Sequence, residues 1–283
     1  MSDFFSALVN PELPFLRFAI LAGVLASLAF GMMGTFVVVK RISYIAGAIA
    51  HSVLGGIGIG LYLQYKLNVV WFEPLYGAIV TALLSAIIIG LVSIYARERE
   101  DTVIGAIWAI GMAVGIVFIA KTPGYVDPMN YLFGNILMIS GSDLWMIAGL
   151  DLLVILLTFL FYNKFVAISF DDQFARLRGI NIVFYNLLLL CLIALTILLL
   201  VLVVGIVMVI ALLTIPAAIS SIFLRRIIPI MIVSVLLSLF FVVGGIAASY
   251  HFDLPSGAVI ILLAGSVYLI VVTVKYFRSR YSS

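Results

Sequence analysis

Charged residues divide this sequence into apolar runs, most of them about as long as a helix that crosses a lipid bilayer. The runs consist largely of Leu, Ile, Val, Ala, Gly and Phe. They show neither the polar stripe of a soluble helix nor the alternation of a membrane strand. Nine such runs cover residues 15–39, 42–63, 75–95, 102–120, 144–161, 182–203, 205–224, 227–249 and 256–274. Because hydrocarbon offers the backbone no hydrogen-bond partner, each run is expected to be an α-helix.

The predicted fold is therefore an all-α membrane helix bundle that forms a single domain over residues 1–283. Two places leave the number of transmembrane helices at eight or nine. The segment 128–140 is too short to span and is expected to form a short external or re-entrant helix. Gly205 lies between two runs and predicts either a very tight turn or a broken helix. Glycines four residues apart favour close helix packing at two places: Gly56 with Gly60, and Gly111 with Gly115.

The composition excludes several classes of protein. Hydrophobic residues make up 66% of the chain and charged residues 10%, whereas an average soluble domain is about 25% charged. This composition fits neither a soluble domain nor a disordered chain. The net charge of +3 comes from a few cations between apolar runs, so a nucleic-acid-binding role is excluded. With Cys191 as the single cysteine, the chain has no internal disulfide.

The distribution of basic residues predicts the orientation of the chain. With nine spans and the N-terminus outside, only three of the 15 lysine and arginine residues lie on the outer side. These three are Arg17, Lys66 and Lys121. Basic residues concentrate on the cytoplasmic side of membrane proteins, so the nine-span arrangement with the N-terminus outside and the C-terminus inside is self-consistent.

The motifs of common hydrolases are absent from the sequence. It has no Gly-x-x-x-x-Gly-Lys-Ser/Thr loop for nucleotide phosphates, no His-Glu-x-x-His zinc motif and no Gly-x-Ser-x-Gly nucleophile motif. The chain is therefore expected not to be an enzyme and to lack an ATPase site of its own.

Two ionisable residues lie well inside the predicted spans, His51 in the second and Asp151 in the fifth. Such residues are costly in a membrane, and each is treated as a functional candidate. A neutral imidazole binds zinc and similar metals, but a buried His can equally hydrogen-bond across a helix interface. Asp151 is either a functional acid or a buried acid bonded to a neighbouring helix. The helical face of His51 carries only small residues: Gly47, Ala48, Gly55 and Gly58.

The longest polar stretch is NKFVAISFDDQFARLRGIN at residues 163–181. Its acidic start, basic end and terminal glycine predict a short amphipathic helix with a glycine C-cap. Such a helix on the cytoplasmic side is either a contact for a cytosolic partner or an ordinary solvated loop. The residues that define the pattern are Asp171, Asp172, Ala175, Arg176, Arg178 and Gly179.

Five stretches of the sequence resemble the metal-ion ABC permeases, the membrane subunits of bacterial zinc, manganese and iron importers. The longest is RISYIAGAIAHSVLGG at 41–56, which is similar to the second span of that family. The others follow in the family's order and extend the resemblance over nearly the whole chain. They are EDTVIG at 100–105, YLFGN at 131–135, VGIVMVIALLTIPAA at 204–218 and DLPSGA at 253–258.

The resemblance implies a type II ABC importer permease in a bacterial or archaeal cell membrane. Two permease chains would form the path, and two ATPase subunits beneath them would bind ATP. An extracytoplasmic metal-binding receptor would deliver the ion. The loop at about 164–181 falls where such permeases carry the helix that docks on the ATPase. The chain itself would hold no cofactor, since the divalent metal is its cargo.

One departure from the family bears on the cargo. Much of the family has an aspartate four residues before this histidine, whereas this chain has Gly47. The resemblance therefore carries over only His51 as a metal ligand. Two His51 side chains could meet across a dimer axis. Waters or Asp151 are further candidates for ligands. Imidazole without carboxylate favours zinc over manganese and iron.

Three other functions remain open from the residues. A permease for a metal chelate such as a siderophore or cobalamin would use a wider path. An ion-coupled secondary carrier would need no ATPase, but it is expected to show more intramembrane acids and internal repeats. A membrane scaffold or enzyme without transport activity is the third alternative, disfavoured by the missing catalytic motifs.

Overall fold

The computed structural model describes residues 14–69, 71–95, 100–124, 131–132, 134 and 139–281. Ten α-helices lie within these ranges, and we number them in chain order. They are α1 (Pro14–Val39), α2 (Ser43–Lys66), α3 (Pro74–Tyr95), α4 (Glu100–Lys121), α5 (Gly141–Phe170), α6 (Asp172–Leu177), α7 (Ile182–Val204), α8 (Val209–Phe223), α9 (Ile227–Phe252) and α10 (Ser256–Tyr281).

Within the described ranges, nine helical segments are long and apolar enough to cross a membrane. They coincide with the nine apolar runs of the sequence, which confirms the predicted all-α membrane bundle. The seventh segment consists of a short 3-10 helix, Ile206–Met208, that continues into α8. The predicted helix at 128–140 lies mostly outside the described residues, although Tyr131 and Leu132 are helical.

Gly205 is the break between the sixth and seventh spans. Its φ of 85° and ψ of 164° end α7, a combination that glycine adopts without steric cost. Gly134, which also has a positive φ, lies so close to this break that a Cβ on Gly134 would overlap the backbone of Val204 and Gly205. Gly134 is thus packed directly on the broken helix.

Helix α2 lies between α3 and α4, and glycines allow the backbones to approach closely on both sides. On the α3 side, a Cβ at Gly56 would overlap the Gly77 carbonyl. On the α4 side, a Cβ at Gly115 would lie 2.6 Å from the Leu54 carbonyl oxygen. Small residues permit this type of packing where no water drives helices together. The glycine spacing of the sequence therefore correctly predicted close packing at α2.

Helix α5 is longer than the sequence indicated. The fifth apolar run ends near residue 161, but the helix continues to Phe170, so the connection to α7 begins later than predicted. Buried Phe165 and Ile168 explain the extra turns. The edge of the Phe165 ring packs on Phe36 of α1, with ring centroids 5.9 Å apart. Tertiary packing thus extends a helix through residues that look polar in the sequence.

We expect Gly56→Ala to destabilise the bundle because its methyl group would overlap the Gly77 backbone, which cannot rotate away, as well as the Thr81 hydroxyl. Overpacking of this kind costs about 1–3 kcal/mol. The control is Gly265→Ala in α10, where no atom lies within 4 Å of an added Cβ. Thermal unfolding of the detergent-solubilised variants measures the effect. Equal midpoints for the two variants would contradict the packing assigned to α2 and α3.

Candidate metal-transit and coupling sites

His51 lies roughly two turns into α2, in a helix whose central residues are all buried. Its side chain is 8% exposed. The ring atom Nδ1 is 2.9 Å from the backbone carbonyl oxygen of Gly47. Because a carbonyl only accepts hydrogen bonds, Nδ1 carries the proton, and a neutral ring then keeps its lone pair on Nε2. A backbone carbonyl that fixes the tautomer in this way is the usual support of a metal-binding histidine.

Trp108 of α4 covers one face of the His51 ring. The two rings are stacked, with centroids 4.2 Å apart and planes 24° apart. The Tyr44 ring lies 5.9 Å from Trp108. Trp108 is not among the functional residues predicted from the sequence. Tryptophan is enriched at membrane interfaces, so a tryptophan roughly two turns into a span is unusual. This position could have marked Trp108 as a functional candidate in the sequence.

Position 47 is too tight for a side chain unless the neighbouring side chains shift. A Cβ built on Gly47 would lie 2.7 Å from Cδ1 of Ile210 in α8 and 3.0 Å from a ring carbon of Trp108. The place from which the family's aspartate would project is therefore occupied by Trp108 and Ile210. The small residues on the helical face of His51 are thus covered by closely packed neighbouring helices.

Asp151 is 2% exposed in α5, where its Oδ1 accepts a hydrogen bond of 3.1 Å from the backbone N–H of Ala29 in α1. This is the geometry of a buried acid bonded to a neighbouring helix. Helix α5 packs against α1 and α7, whereas α2 packs mainly against α3 and α4, so Asp151 is not brought beside His51. In the part of the chain that the structure describes, no three His, Cys, Asp or Glu side chains are placed to hold a metal ion.

Helix α6 is the short amphipathic helix predicted in the polar stretch at 163–181. Both of its ends are capped by residues of the same segment. Oδ1 of Asp171 accepts hydrogen bonds from the backbone N–H groups of Gln173 and Phe174 at 2.8 and 3.0 Å. At the other end, Gly179 has a φ of 73°. Its N–H donates to Arg176, and the next N–H donates to Ala175, which is the Schellman pattern. The helix is thus preformed without a partner.

Helix α6 presents a mixed apolar and charged surface. Only Ala175 of this helix is buried. Leu177 is 88% exposed and Phe174 48% exposed, and the Arg178 guanidinium lies 4.7 Å above the Phe174 ring. The charged residues Asp171, Asp172, Arg176 and Arg178 are exposed, as is Gly179. Exposed apolar side chains beside charges are typical of a protein contact, so the structure adds Leu177 and Phe174 to the predicted set.

Lys40, directly after α1, joins the two helices that flank α6. Its Nζ donates to the backbone carbonyl of Ile168 in α5 at 2.8 Å and to Oδ1 of Asn186 in α7 at 2.9 Å. Burial lowers the pKa of this ammonium group, and the Asp172 carboxylate opposes that shift. From the sequence, Lys40 is only one of the cytoplasmic charges, because neither of its partners is near it in sequence.

In the described part of the chain, nine apolar helical segments and a short connecting helix define a polytopic membrane protein. Comparisons with known proteins specify the class. A profile of the ABC 3 transport family matches residues 12–275. The chain belongs to that family, which confirms the resemblance found in the sequence. It is a multi-pass cell-membrane protein and the permease of an ABC transport system.

Relatives and a solved structure agree with this placement. A probable metal transport system membrane protein of Chlamydia pneumoniae is 41% identical over 273 residues, covering 95% of this chain and 93% of the relative. The manganese transport system membrane protein MntC of Halalkalibacterium halodurans is 31% identical over 289 residues, covering 99% and 96%. The structure of PsaBC from Streptococcus pneumoniae in complex with Fab superposes with a TM-score of 0.84 at 28% identity, covering 95% and 94%.

We expect Lys40→Met to destabilise the end of the bundle that carries α6. The substitution leaves a backbone carbonyl and an amide oxygen without their donor, at a cost of about 1–3 kcal/mol. Lys164→Met, at an exposed position of α5, is the matched control. Thermal unfolding in detergent compares the two variants. A Lys40→Met protein as stable as the control would show that the two hydrogen bonds contribute nothing.

Proposed function

We propose that this chain is the permease subunit of an ATP-driven importer of divalent metal ions, with zinc as the preferred ion. The observation that carries the proposal is His51, a buried imidazole whose tautomer is fixed by a backbone carbonyl. The family and the metal-transport relatives support the class of cargo. The comparisons do not favour the chelate permease or the secondary carrier.

The preference for zinc rests on the ligands that are present. Imidazole suits zinc, whereas manganese prefers carboxylate and water oxygens. His51 has no carboxylate at position 47, and Asp151 is bonded to another helix. The ion would complete its coordination with water or with a second copy of the chain. Such a sparse site binds weakly, which a transport path requires for release of the ion.

The partners follow from the same proposal. A cytoplasmic ATPase subunit would dock on α6 through Leu177, Phe174 and the adjacent charges, while a metal-binding receptor would meet the outer side. A second permease copy would complete the path. Movement of α6 would pass to α1 through Lys40, which binds residues of both flanking helices. The path would thereby open to one side of the membrane at a time.

We expect Leu177→Asp to weaken binding of the ATPase subunit. The exposed side chain contributes little to folding, but a new carboxylate would have to be buried against the partner. A loss of about tenfold in affinity for the ATPase subunit corresponds to about 1.4 kcal/mol. Leu254→Asp, at an exposed position on the predicted outer side, is the control. Equal recovery of ATPase by the two tagged variants would remove α6 as the docking site.

We expect His51→Ala to lower zinc uptake by the reconstituted complex. Loss of the nitrogen ligand should reduce uptake by roughly tenfold or more, by analogy with the effect of removing groups that support a metal site. Proteoliposomes containing permease, ATPase and receptor measure ATP-dependent accumulation of zinc, manganese and iron. Asp151→Asn is the comparison, since its amide still offers an oxygen to Ala29. Unchanged accumulation of all three ions in His51→Ala would remove this residue from the path.

A further inference from the structure

We propose that Trp108 is a specificity-determining residue, because it takes the space of a carboxylate at position 47 and leaves the transit site with a single imidazole nitrogen. The inference rests on the proposed function, which assigns His51 to the metal path. Two separate observations support the inference: Trp108 stacks on His51, and Trp108 lies close to Gly47.

The stacking contact determines which part of His51 is available. One face of the ring lies against the indole, with centroids 4.2 Å apart, and Nδ1 is engaged by Gly47. Among the ring nitrogens, Nε2 is the one left to bind an ion. The indole N–H itself is a hydrogen-bond donor only, so Trp108 offers no nitrogen ligand in return.

The second observation is that a side chain at position 47 would press on the Trp108 ring. Cδ1 of Ile210 ends a flexible side chain and can rotate away from an added Cβ. The indole is a rigid ring held between His51 and Tyr44, and its nearest carbon is already 3.0 Å from the Cβ position. An aspartate at position 47 therefore requires the indole to shift. Gly47 and Trp108 therefore act as a pair.

The chemical consequence is selection between two kinds of ion. A site with carboxylate and imidazole accepts manganese, whereas imidazole alone selects zinc and similar borderline ions. Replacing both Gly47 and Trp108 should therefore change the preferred ion from zinc to manganese. Gly47→Asp alone should lower the uptake of zinc and manganese alike, since the new side chain disturbs the stacking of Trp108 on His51 without gaining room for its carboxylate. Gly47→Asp combined with Trp108→Ala makes room for the carboxylate and should accept manganese.

The first test observes the site directly, without transport. Trp71 and Trp145 are exposed and can be replaced by Phe, which leaves Trp108 as the sole tryptophan of the chain. Zinc binding at Nε2 should change the fluorescence of the stacked indole, and manganese at the same concentration should change it at least tenfold less. His51→Ala should abolish the zinc response. An equal response to both ions, or a zinc response that persists without His51, overturns the inference.

The second test is the ratio of manganese to zinc uptake by the reconstituted complex. Gly47→Asp with Trp108→Ala should raise this ratio at least tenfold over the unaltered chain, whereas Gly47→Asp with Trp145→Ala should not. An unchanged ratio in a folded double variant overturns the inference. If the double variant does not fold, the fluorescence titration decides. If the unaltered complex transports no divalent ion, the proposed function fails, while the fluorescence test still reports on the Trp108 site.

Discussion

Close approach of helix backbones around α2 is the constraint on which the rest of this structure depends. In hydrocarbon no water drives the helices together, so they associate where small residues let their backbones meet. Gly56 faces Gly77 on one side of α2, and Gly58 faces Gly115 on the other. This packing holds α2 and α4 close enough for His51 and Trp108 to stack. The geometry of the candidate metal site is thus a result of glycine packing elsewhere on the same helices.

The candidate site and the candidate docking surface lie on different parts of the bundle, and α1 connects their surroundings. Helix α1 packs against α8 and α9, and Ile210 of α8 reaches position 47 beside His51. At its end, Lys40 binds Ile168 and Asn186 on either side of α6. In the proposed transport cycle, this connection gives the ATPase a mechanical route to the ion path through hydrogen bonds and packed side chains.

The sequence predicted most of the fold because the bilayer restricts both the length and the hydrogen bonding of each segment. Apolar runs of sufficient length could only be helices, and charges marked their ends. The ends of α6 were also indicated by the sequence, since Asp171 and Gly179 interact with backbone groups only a few residues away. Contacts between residues far apart in the sequence could not be predicted. The stacking of His51 on Trp108, the bond between Asp151 and Ala29, and the binding of Lys40 to Ile168 each require the packed bundle. Likewise, the length of α5 depends on Phe165 meeting Phe36.

The central claim is that the oriented imidazole of α2 binds the transported ion. X-ray absorption at the zinc edge, on the assembled complex loaded with one zinc per permease and held without ATP, tests it most directly. We expect a nitrogen ligand at about 2.0–2.1 Å from zinc, which disappears when His51 is replaced by Ala. A zinc environment of oxygen alone, or one that is the same with and without His51, would contradict it.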